Sequence, residues 1–249
     1  MKSGSTVDLS GLEDDELVEA LAMRFDTAVT DLDVGGRVVR ILRPRNSDDL
    51  IREEDFVMDE RLPYWADIWP SSTILAERFV CGELGGSRSG DRIPRGLELG
   101  CGVGLVTTAA MIAGYDMIAS DYYTDALAFT RANAFTALGR SPVVRMIDWR
   151  HFPEDVGELD LIVASDVLYE KEYARLLPGI FRNALAPGGM AVVADPGRVG
   201  VPEFMESCGD AGLEVRSKVT YPFEAEEIKQ KIDIYQIAQV VVPLAPLTR

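Results

Sequence analysis

The chain has 249 residues, of which 47% are hydrophobic, and it carries 25 basic against 41 acidic residues for a net charge of −16. Such a chain is long enough for one sizeable core, or one core with a modest extension. A polyanion-binding surface is not expected, because phosphate contacts need clustered Lys and Arg, whereas a basic protein surface would be attracted. Neither a membrane span nor a signal peptide is predicted.

The three cysteines, Cys81, Cys101 and Cys208, form no metal-like or disulfide-like pair. We therefore expect a reducing, cytoplasmic environment and no bound metal. A monomer is also predicted. The single histidine, His151, lies in a predicted loop and is assigned no role.

The first 62 residues are rich in acids, and we predict that they form a small α+β extension packed on a main domain spanning residues 63–249. Ser10 and Glu13 have the spacing of a capping box, and the apolar residues after them recur at helical spacing. Residues 27–32 and 37–42 are β-type runs on either side of a glycine pair, which predicts a hairpin.

Two further features complete the approach to the main domain. Ser47 is predicted to cap a short helix that runs through Phe56. Pro70 is placed where a second helix can start, because a proline in the first turn loses no helical hydrogen bond. Trp65 and Trp69 come just before it, and core packing and ligand contact are both open for these two side chains.

Residues 95–105 contain the most informative pattern of the chain. A short apolar run ends at Glu98, glycines follow at alternate positions, and an alanine-rich helix is predicted to about residue 113. Strand, glycine turn and helix form the nucleotide-binding corner of a doubly wound α/β sheet. Glycines are needed there because the backbone turns sharply and lets a ligand approach closely.

The spacing of the glycines distinguishes between ligands. A dinucleotide fold prefers G-x-G-x-x-G, whereas this chain has G-x-G-x-G with an acid two residues earlier. That acid would repel a pyrophosphate but suits a cation with an amino group, such as S-adenosylmethionine (SAM). The pattern resembles motif I of the class I, seven-stranded methyltransferases. The predicted contacts of this motif with the cofactor are Glu98 at the methionine amine, directly or through water, and the loop residues Gly100, Cys101, Gly102 and Gly104.

The next two strands each end in residues suited to the same ligand. A strand at residues 116–120 is followed by Asp121, whose carboxylate can accept both ribose hydroxyls, and Tyr122 is placed to flank the adenine. After a helix at 125–138 and a third strand, Asp148 can accept a hydrogen bond from the adenine amine and Trp149 can cover the ring. An acid or polar residue followed by Trp at this place resembles the same family.

Leu159–Ser165 is nearly all apolar, which predicts a central strand buried on both faces. Ligands of open α/β sheets bind at the carboxyl edge of such strands, so Ser165 is predicted to contact the cofactor. Asp166 and Tyr169 follow as Asp-x-x-Tyr. The Asn/Asp-Pro-Pro-Tyr motif of enzymes that methylate adenine or glutamine amines is not present, and no cysteine is placed for cytosine-C5 chemistry.

The rest of the chain continues the alternation of helices and strands and ends on two strands that are close in sequence, so we predict an antiparallel pair. The predicted elements are a helix at 171–185, a stop at 186–189, a strand at 190–194, a helix at 202–211 and strands at 214–221 and 232–242. Five β/α units closing on an antiparallel pair is the class I methyltransferase layout. The predicted fold is therefore α/β, a doubly wound, seven-stranded, mostly parallel, Rossmann-like sheet with the small extension.

Residues 65–70, Trp-Ala-Asp-Ile-Trp-Pro, resemble the protein-lysine branch of this fold, which includes enzymes that methylate the electron transfer flavoprotein β-subunit and several chaperones. The resemblance implies that Trp69 lines the cofactor pocket and that Asp-x-x-Tyr lies at the acceptor. Asp166 would then receive or orient the lysine ammonium, and Tyr169 would shape the amine channel by cation–π contact.

The sequence thus predicts a SAM-dependent N-methyltransferase whose partner is a protein presenting a lysine, with no nucleic-acid or membrane partner. Two other interpretations stay open. One is a methyltransferase for a small-molecule amine or another nucleophile, which would use the same cofactor residues. The other is a module that binds SAM without turnover.

Overall fold

The computed structural model describes residues 9, 11–51, 62–84, 92–225 and 228–240. Its centre is a seven-stranded sheet, in the order β5-β4-β3-β6-β7-β9-β8. Strands β3 to β7 are parallel, and β9 is antiparallel to both of its neighbours, β7 and β8. The strands are β3 (Arg95–Leu99), β4 (Asp116–Asp121), β5 (Val143–Met146), β6 (Leu159–Ser165), β7 (Leu185–Asp195), β8 (Leu213–Ala225) and β9 (Ile228–Gln239).

Helices cover the two faces of this sheet. They are α2 (Pro70–Val80), α3 (Leu105–Ile112), α4 (Thr124–Leu138), α5 (Lys171–Ala184) and α6 (Val201–Asp210). Two large buried clusters fill the spaces between helices and sheet, and Phe79, Phe129, Phe181 and Phe204 are among their largest fully buried side chains. The predicted α/β class and the doubly wound, mostly parallel sheet are confirmed.

The extension contains α1 (Asp14–Arg24) and a hairpin of β1 (Thr27–Val34) and β2 (Arg37–Pro44). The predicted hairpin is therefore present, and both of its strands are two residues longer than expected. Helix α1 begins later than predicted, because Glu13 is its N-cap and forms the capping box with Glu16. Ser10, the predicted cap, lies outside the described residues.

The extension shares the core of the main sheet. Leu17 and Leu21 of α1 and Ile41 of β2 belong to the same buried cluster as Leu75 and Phe79 of α2. The boundary at residue 62 between extension and main domain stays a prediction.

One buried side chain connects the hairpin to the glycine loop. Asn133 of α4 accepts a hydrogen bond from the Leu42 amide, and its own amide group donates to the carbonyls of Leu42 and Val103, each at 2.8 Å. Val103 lies between the second and third glycines of the loop. The hairpin therefore supports the loop from behind.

Three predicted segments differ from the structure. The helix expected through Phe56 is a single 3₁₀ turn at Ser47–Leu50, capped by Asn46, and residues 52–61 lie outside the described part. Strand β7 begins at Leu185, which pairs with Leu159 of β6. Residues 186–189, predicted as a stop, belong to this strand and form an irregularity, and regular pairing with β6 resumes at Met190. Strands β8 and β9 are longer than predicted, so two residues separate them rather than about ten.

No helix among the described residues is long and apolar enough to cross a membrane.

Candidate active site

A cavity opens where the parallel strands β3, β4 and β6 end. Nine of the thirteen residues predicted for the site lie on its wall, namely Trp69, Gly100, Asp121, Tyr122, Asp148, Trp149, Ser165, Asp166 and Tyr169. Further tyrosines that the sequence did not single out, Tyr64, Tyr123 and Tyr173, lie on the same wall. The carboxyl edge of the sheet is thus where the structure gathers the predicted side chains, as expected for an open α/β sheet.

Four predicted residues, Glu98, Cys101, Gly102 and Gly104, are not part of the wall. Glu98 is buried on β3, and its carboxyl accepts a hydrogen bond from the Thr107 hydroxyl of α3. Burial, which outweighs that hydrogen bond, raises the pKa of Glu98 to about 8. The predicted contact of Glu98 with the cofactor, directly or through water, stays a prediction.

Backbone amides of the glycine loop donate their hydrogen bonds to other groups of the protein. Those of Gly100 and Cys101 both donate to the Ser120 carbonyl at 2.9 Å, and that of Gly102 donates to Asp121 Oδ2 at 3.0 Å. The backbone contacts predicted from Gly100, Cys101, Gly102 and Gly104 to the cofactor stay a prediction. The loop shapes the floor of the site by its own hydrogen bonds to the end of β4.

Close packing explains two of the glycines. A Cβ atom on Gly102, whose φ is +52°, would lie 2.9 Å from the Trp65 carbonyl oxygen. A Cβ atom on Gly104 would lie 2.8 Å from Thr130 of α4. Both glycines are required by neighbouring protein atoms.

Asp121 is the carboxylate at the end of β4. Its Oδ1 accepts from the Tyr123 amide and its Oδ2 from the Gly102 amide, both at 3.0 Å. Burial raises its pKa, and these backbone hydrogen bonds oppose the shift. Because Asp121 lies on the cavity wall and each carboxylate oxygen can accept two hydrogen bonds, it has capacity left to accept from a ligand diol.

Gly100, Trp149 and Val167 lie on the cavity wall together with Asp121, and we call this part of the wall the slot. A Cβ atom on Gly100 would lie 3.4 Å from Val167 and 3.6 Å from Trp149, so this glycine leaves room beside both side chains. Trp149 in turn packs edge to face on Tyr173, with ring centroids 5.5 Å apart. An indole ring suits contact with a planar heterocycle.

Asp148, at the rim of the slot, is paired with a neighbour. Arg150 donates to both of its carboxylate oxygens, and His151 lies 3.4 Å from Oδ2. The Arg150 guanidinium holds the pKa of Asp148 well below its usual range. Asp148 is therefore an ionised acceptor held in one orientation.

Asp166 lies on the cavity wall with Tyr64, Trp69 and Tyr169, and we call this part of the cavity the Asp166 end and the part around Asp121 the Asp121 end. It has a φ of +59° and is the only residue other than glycine with positive φ in the part of the chain that the structure describes. Its carboxylate is buried, and it accepts hydrogen bonds from Ser71 Oγ at 3.0 Å and from Arg198 Nε at 2.6 Å. A non-glycine residue in this backbone region is uncommon and is often found at functional sites.

An aromatic group lines the cavity near Asp166. The ring of Tyr64 packs edge to face on Trp69 and on Tyr169, with centroid distances of 5.9 and 5.7 Å. The Trp69 indole donates to the Tyr64 carbonyl at 2.9 Å, which fixes the indole plane. Tyr64 and Tyr169 are 43% and 39% exposed, so both rings are open to an incoming molecule.

Sequence reasoning missed three members of this end, Tyr64, Ser71 and Arg198. Tyr64 had a signal, because it belongs to the aromatic run before α2. Ser71 is an ordinary helix residue and Arg198 an ordinary loop residue, so their types and positions carried no signal.

The wall chemistry is consistent with SAM. It includes the acids Asp121, Asp148, Asp166 and Glu170, and none of its described residues is Lys or Arg. Such a wall disfavours a pyrophosphate and favours a ligand with a positive charge. Among the described residues there is also no cluster of His, Cys, Asp and Glu that could hold a metal ion.

A family model described as lysine methyltransferase matches residues 57–198, which include all of the described residues on the cavity wall. No curated protein sequence matches the chain significantly.

Solved structures share the fold at low sequence identity. A proposed RNA methyltransferase from Pyrococcus horikoshii superposes with a TM-score of 0.53 at 16% identity, covering 70% of this chain and 84% of its own. A SAM-dependent methyltransferase from Clostridium acetobutylicum gives 0.52 at 15% identity, covering 70% and 93%. A third, complexed with S-adenosylhomocysteine, gives 0.57 at 12% identity, covering 85% and 55%. At these identities the likeness concerns the fold alone.

Proposed function

Because the chain belongs to the lysine methyltransferase family, we propose that the acceptor of this SAM-dependent methyltransferase is the side-chain amine of a lysine on a protein. The observation that carries the proposal is the pairing of a buried carboxylate, Asp166, with the rings of Tyr64, Trp69 and Tyr169 at one end of the cavity. A carboxylate and aromatic faces are the two protein groups that bind an alkylammonium.

In this proposal the Asp121 end of the cavity binds the cofactor and the Asp166 end binds the acceptor. Bound SAM supplies a methyl group on a sulfonium, an activated leaving group. Asp121 would accept the ribose hydroxyls, while Tyr122, Asp148 and Trp149 would hold the adenine. Ser165 would contact the cofactor near the middle of the cavity.

The remaining task is to hold a neutral amine in line with the methyl group, and such positioning is worth roughly 7–11 kcal/mol in favourable systems. A lysine in solution has a pKa of about 10.4, so it must lose a proton before it attacks. Asp166 receives the ammonium, whose proton passes to solvent before the attack, and the rings of Tyr64 and Tyr169 lie beside the amine. Arg198 already balances part of the carboxylate charge, which suits Asp166 to orienting the amine rather than to keeping its proton.

The charge of the chain supports a protein partner over RNA. With a net charge of −16, the protein repels phosphates at long range and attracts a basic protein surface. A lysine-bearing segment of a protein is therefore the favoured molecule to bind at the exposed rings of Tyr64 and Tyr169.

The test uses purified protein, tritiated SAM and a cell extract, with ribonuclease and protease treatment in parallel. We expect a discrete labelled protein band that protease removes and ribonuclease does not, and mass spectrometry then identifies a methylated lysine. Label in RNA or in small molecules, or on a residue other than lysine, would overturn the proposal.

Asp166→Asn measures the contribution of the carboxylate in the same assay. We expect the transfer rate to fall at least about 100-fold, close to 3 kcal/mol, while SAM affinity measured by calorimetry stays within about threefold. Glu214→Gln is the matched control, because Glu214 lies on β8 at the opposite edge of the sheet, in an exposed pair with Arg216. An unchanged rate in Asp166→Asn would contradict the role of the carboxylate.

A further inference from the structure

Arg198 is outside the cavity wall, but its side chain touches two residues of that wall. Its Nε donates to Asp166 Oδ1 at 2.6 Å, and its guanidinium carbon lies 5.4 Å from the centroid of the Trp69 ring. The guanidinium therefore joins the acceptor carboxylate to the aromatic group through one rigid plane.

The loop that carries Arg198 is itself fixed. The backbone amides of Gly197 and Arg198 both donate to Oδ1 of Asp195, each at 2.7 Å. Asp195 is fully buried at the end of β7, next to β6, and the amide of Asp166 donates to the Ala194 carbonyl of the same strand. Arg198 thus starts from an anchored backbone.

Asp166 is held from two sides. Ser71, buried in the first turn of α2, donates to Oδ2, while Arg198 donates to Oδ1. Two partners on different oxygens fix the rotation of the carboxylate plane, and each oxygen keeps a second acceptor site. Trp69, the residue before α2, lies under the guanidinium, so the ring and Ser71 both come from the start of α2 and the residue that caps it.

We propose that Arg198 is a positioning residue for methyl transfer, which sets the Asp166 carboxylate and the Trp69 ring in the orientation that receives the acceptor amine. The inference rests on the proposed function of Asp166, and it adds a residue that touches neither cofactor nor acceptor.

The chemistry of arginine fits this role better than that of lysine. A guanidinium is planar, so it donates a directed hydrogen bond in its plane while its face stacks on an aromatic ring. A lysine ammonium offers charge but no plane, so it cannot fix the carboxylate and the ring together. Arg198→Lys should therefore restore charge without restoring the orientation.

The test is a double-mutant cycle with Arg198→Gln and Asp166→Asn. We expect Arg198→Gln alone to lower kcat about 10-fold or more, with KM for the acceptor and Kd for SAM within about threefold and the melting temperature nearly unchanged. In the Asp166→Asn background the same substitution should lower kcat less than about twofold, because the group it positions is gone. Arg198→Lys should fall between wild type and Arg198→Gln.

The control for a lost surface charge is Arg216→Gln, since Arg216 is a half-exposed arginine of β8 in an ion pair. It should leave kcat unchanged. Equal loss from Arg198→Gln in both backgrounds, or full activity in Arg198→Gln, would overturn the inference.

The cycle is run on whichever acceptor the labelling experiment identifies, so a failed lysine assignment is seen separately from a failed role for Arg198. A crystal structure of Arg198→Gln needs no acceptor. We expect the Asp166 carboxylate to rotate away from Ser71 or the Trp69 indole to shift. Both side chains in unchanged positions would overturn the inference.

Discussion

The two ends of the cavity are built in different ways. At the Asp121 end, short stretches of neighbouring sequence make the site, and main-chain groups hold them, as when the amides of Gly100 and Cys101 share the Ser120 carbonyl. At the Asp166 end, side chains from three distant segments meet, supplied by Ser71, Asp166 and Arg198. We therefore expect the first end to be disrupted most by an added Cβ atom on a loop glycine, and the second by the loss of one of these three side chains.

Gly102→Ala should have the largest effect and would test the Asp121 end. The new Cβ atom would lie 2.9 Å from the Trp65 carbonyl oxygen on a backbone with φ of +52°, so the loop must move. We expect the free energy of unfolding to fall by about 2–4 kcal/mol from overpacking and left-handed strain. SAM affinity should fall more than about 10-fold, because the Gly102 amide also fixes Asp121.

The matched control for this substitution is Gly209→Ala. Gly209 lies in α6, where a Cβ atom meets nothing within 4 Å, so alanine should stabilise the helix by up to about 1 kcal/mol. Denaturant unfolding and calorimetry measure both variants. Normal stability and SAM affinity in Gly102→Ala would remove the distinction between the two ends.

Glu98→Gln tests the buried support of the glycine loop through pH. The native-state pKa of Glu98 is about 8, above its ordinary value of 4.5, so only the native state holds this proton between those values. Wild-type stability should therefore fall as pH rises through this interval, by up to about 1.4 kcal/mol per pH unit, and level off above pH 8. Glu98→Gln should lack this part of the dependence.

Denaturant unfolding at pH 5, 6.5 and 8 measures the difference for Glu98→Gln. Wild type and variant should be closest at pH 5, with the variant the more stable at pH 8. Parallel pH profiles would mean that Glu98 does not retain its proton in the native state.

Tyr169 offers the smallest effect and tests the Asp166 end. Tyr169→Leu removes a ring that packs 5.7 Å from Tyr64, and we expect the acceptor KM to rise about 10-fold, near 1.4 kcal/mol, from the lost cation–π contact. Tyr169→Phe keeps the ring and should change KM less than about threefold. If Tyr169→Phe raises the acceptor KM as much as Tyr169→Leu does, the phenol hydroxyl rather than the aromatic face binds the acceptor.

The difference between local contacts and contacts of distant segments also explains which features could be predicted from the sequence. Strands such as Leu159–Ser165 are continuous apolar runs, and periodicity reports these reliably. The misjudged segments were irregular ones. Residues 186–189 look like a helix stop, yet β7 already begins at Leu185, which pairs with Leu159 of β6, and regular pairing resumes at Met190 after an irregularity.

For the site, local motifs predicted where residues gather but not what each one touches. The close approach of Gly102 to the Trp65 carbonyl was not predicted. The hydrogen bond between Glu98 and Thr107 was not predicted either. Arg198 gave no signal at all, because its partners Asp166 and Trp69 lie 32 or more positions away in sequence. Tertiary contacts of this kind are invisible to spacing.

The three hydrogen bonds of Asn133 set an order in which the chain can fold during its synthesis. The hairpin leaves the ribosome first, but its partner lies 91 residues further along the chain. At roughly 5–20 residues per second, that interval is about 5–18 seconds, during which an isolated two-stranded hairpin is only marginally stable. The nascent hairpin thus cannot complete these hydrogen bonds until α4 has been made, and the glycine loop acquires its support from Asn133 only then.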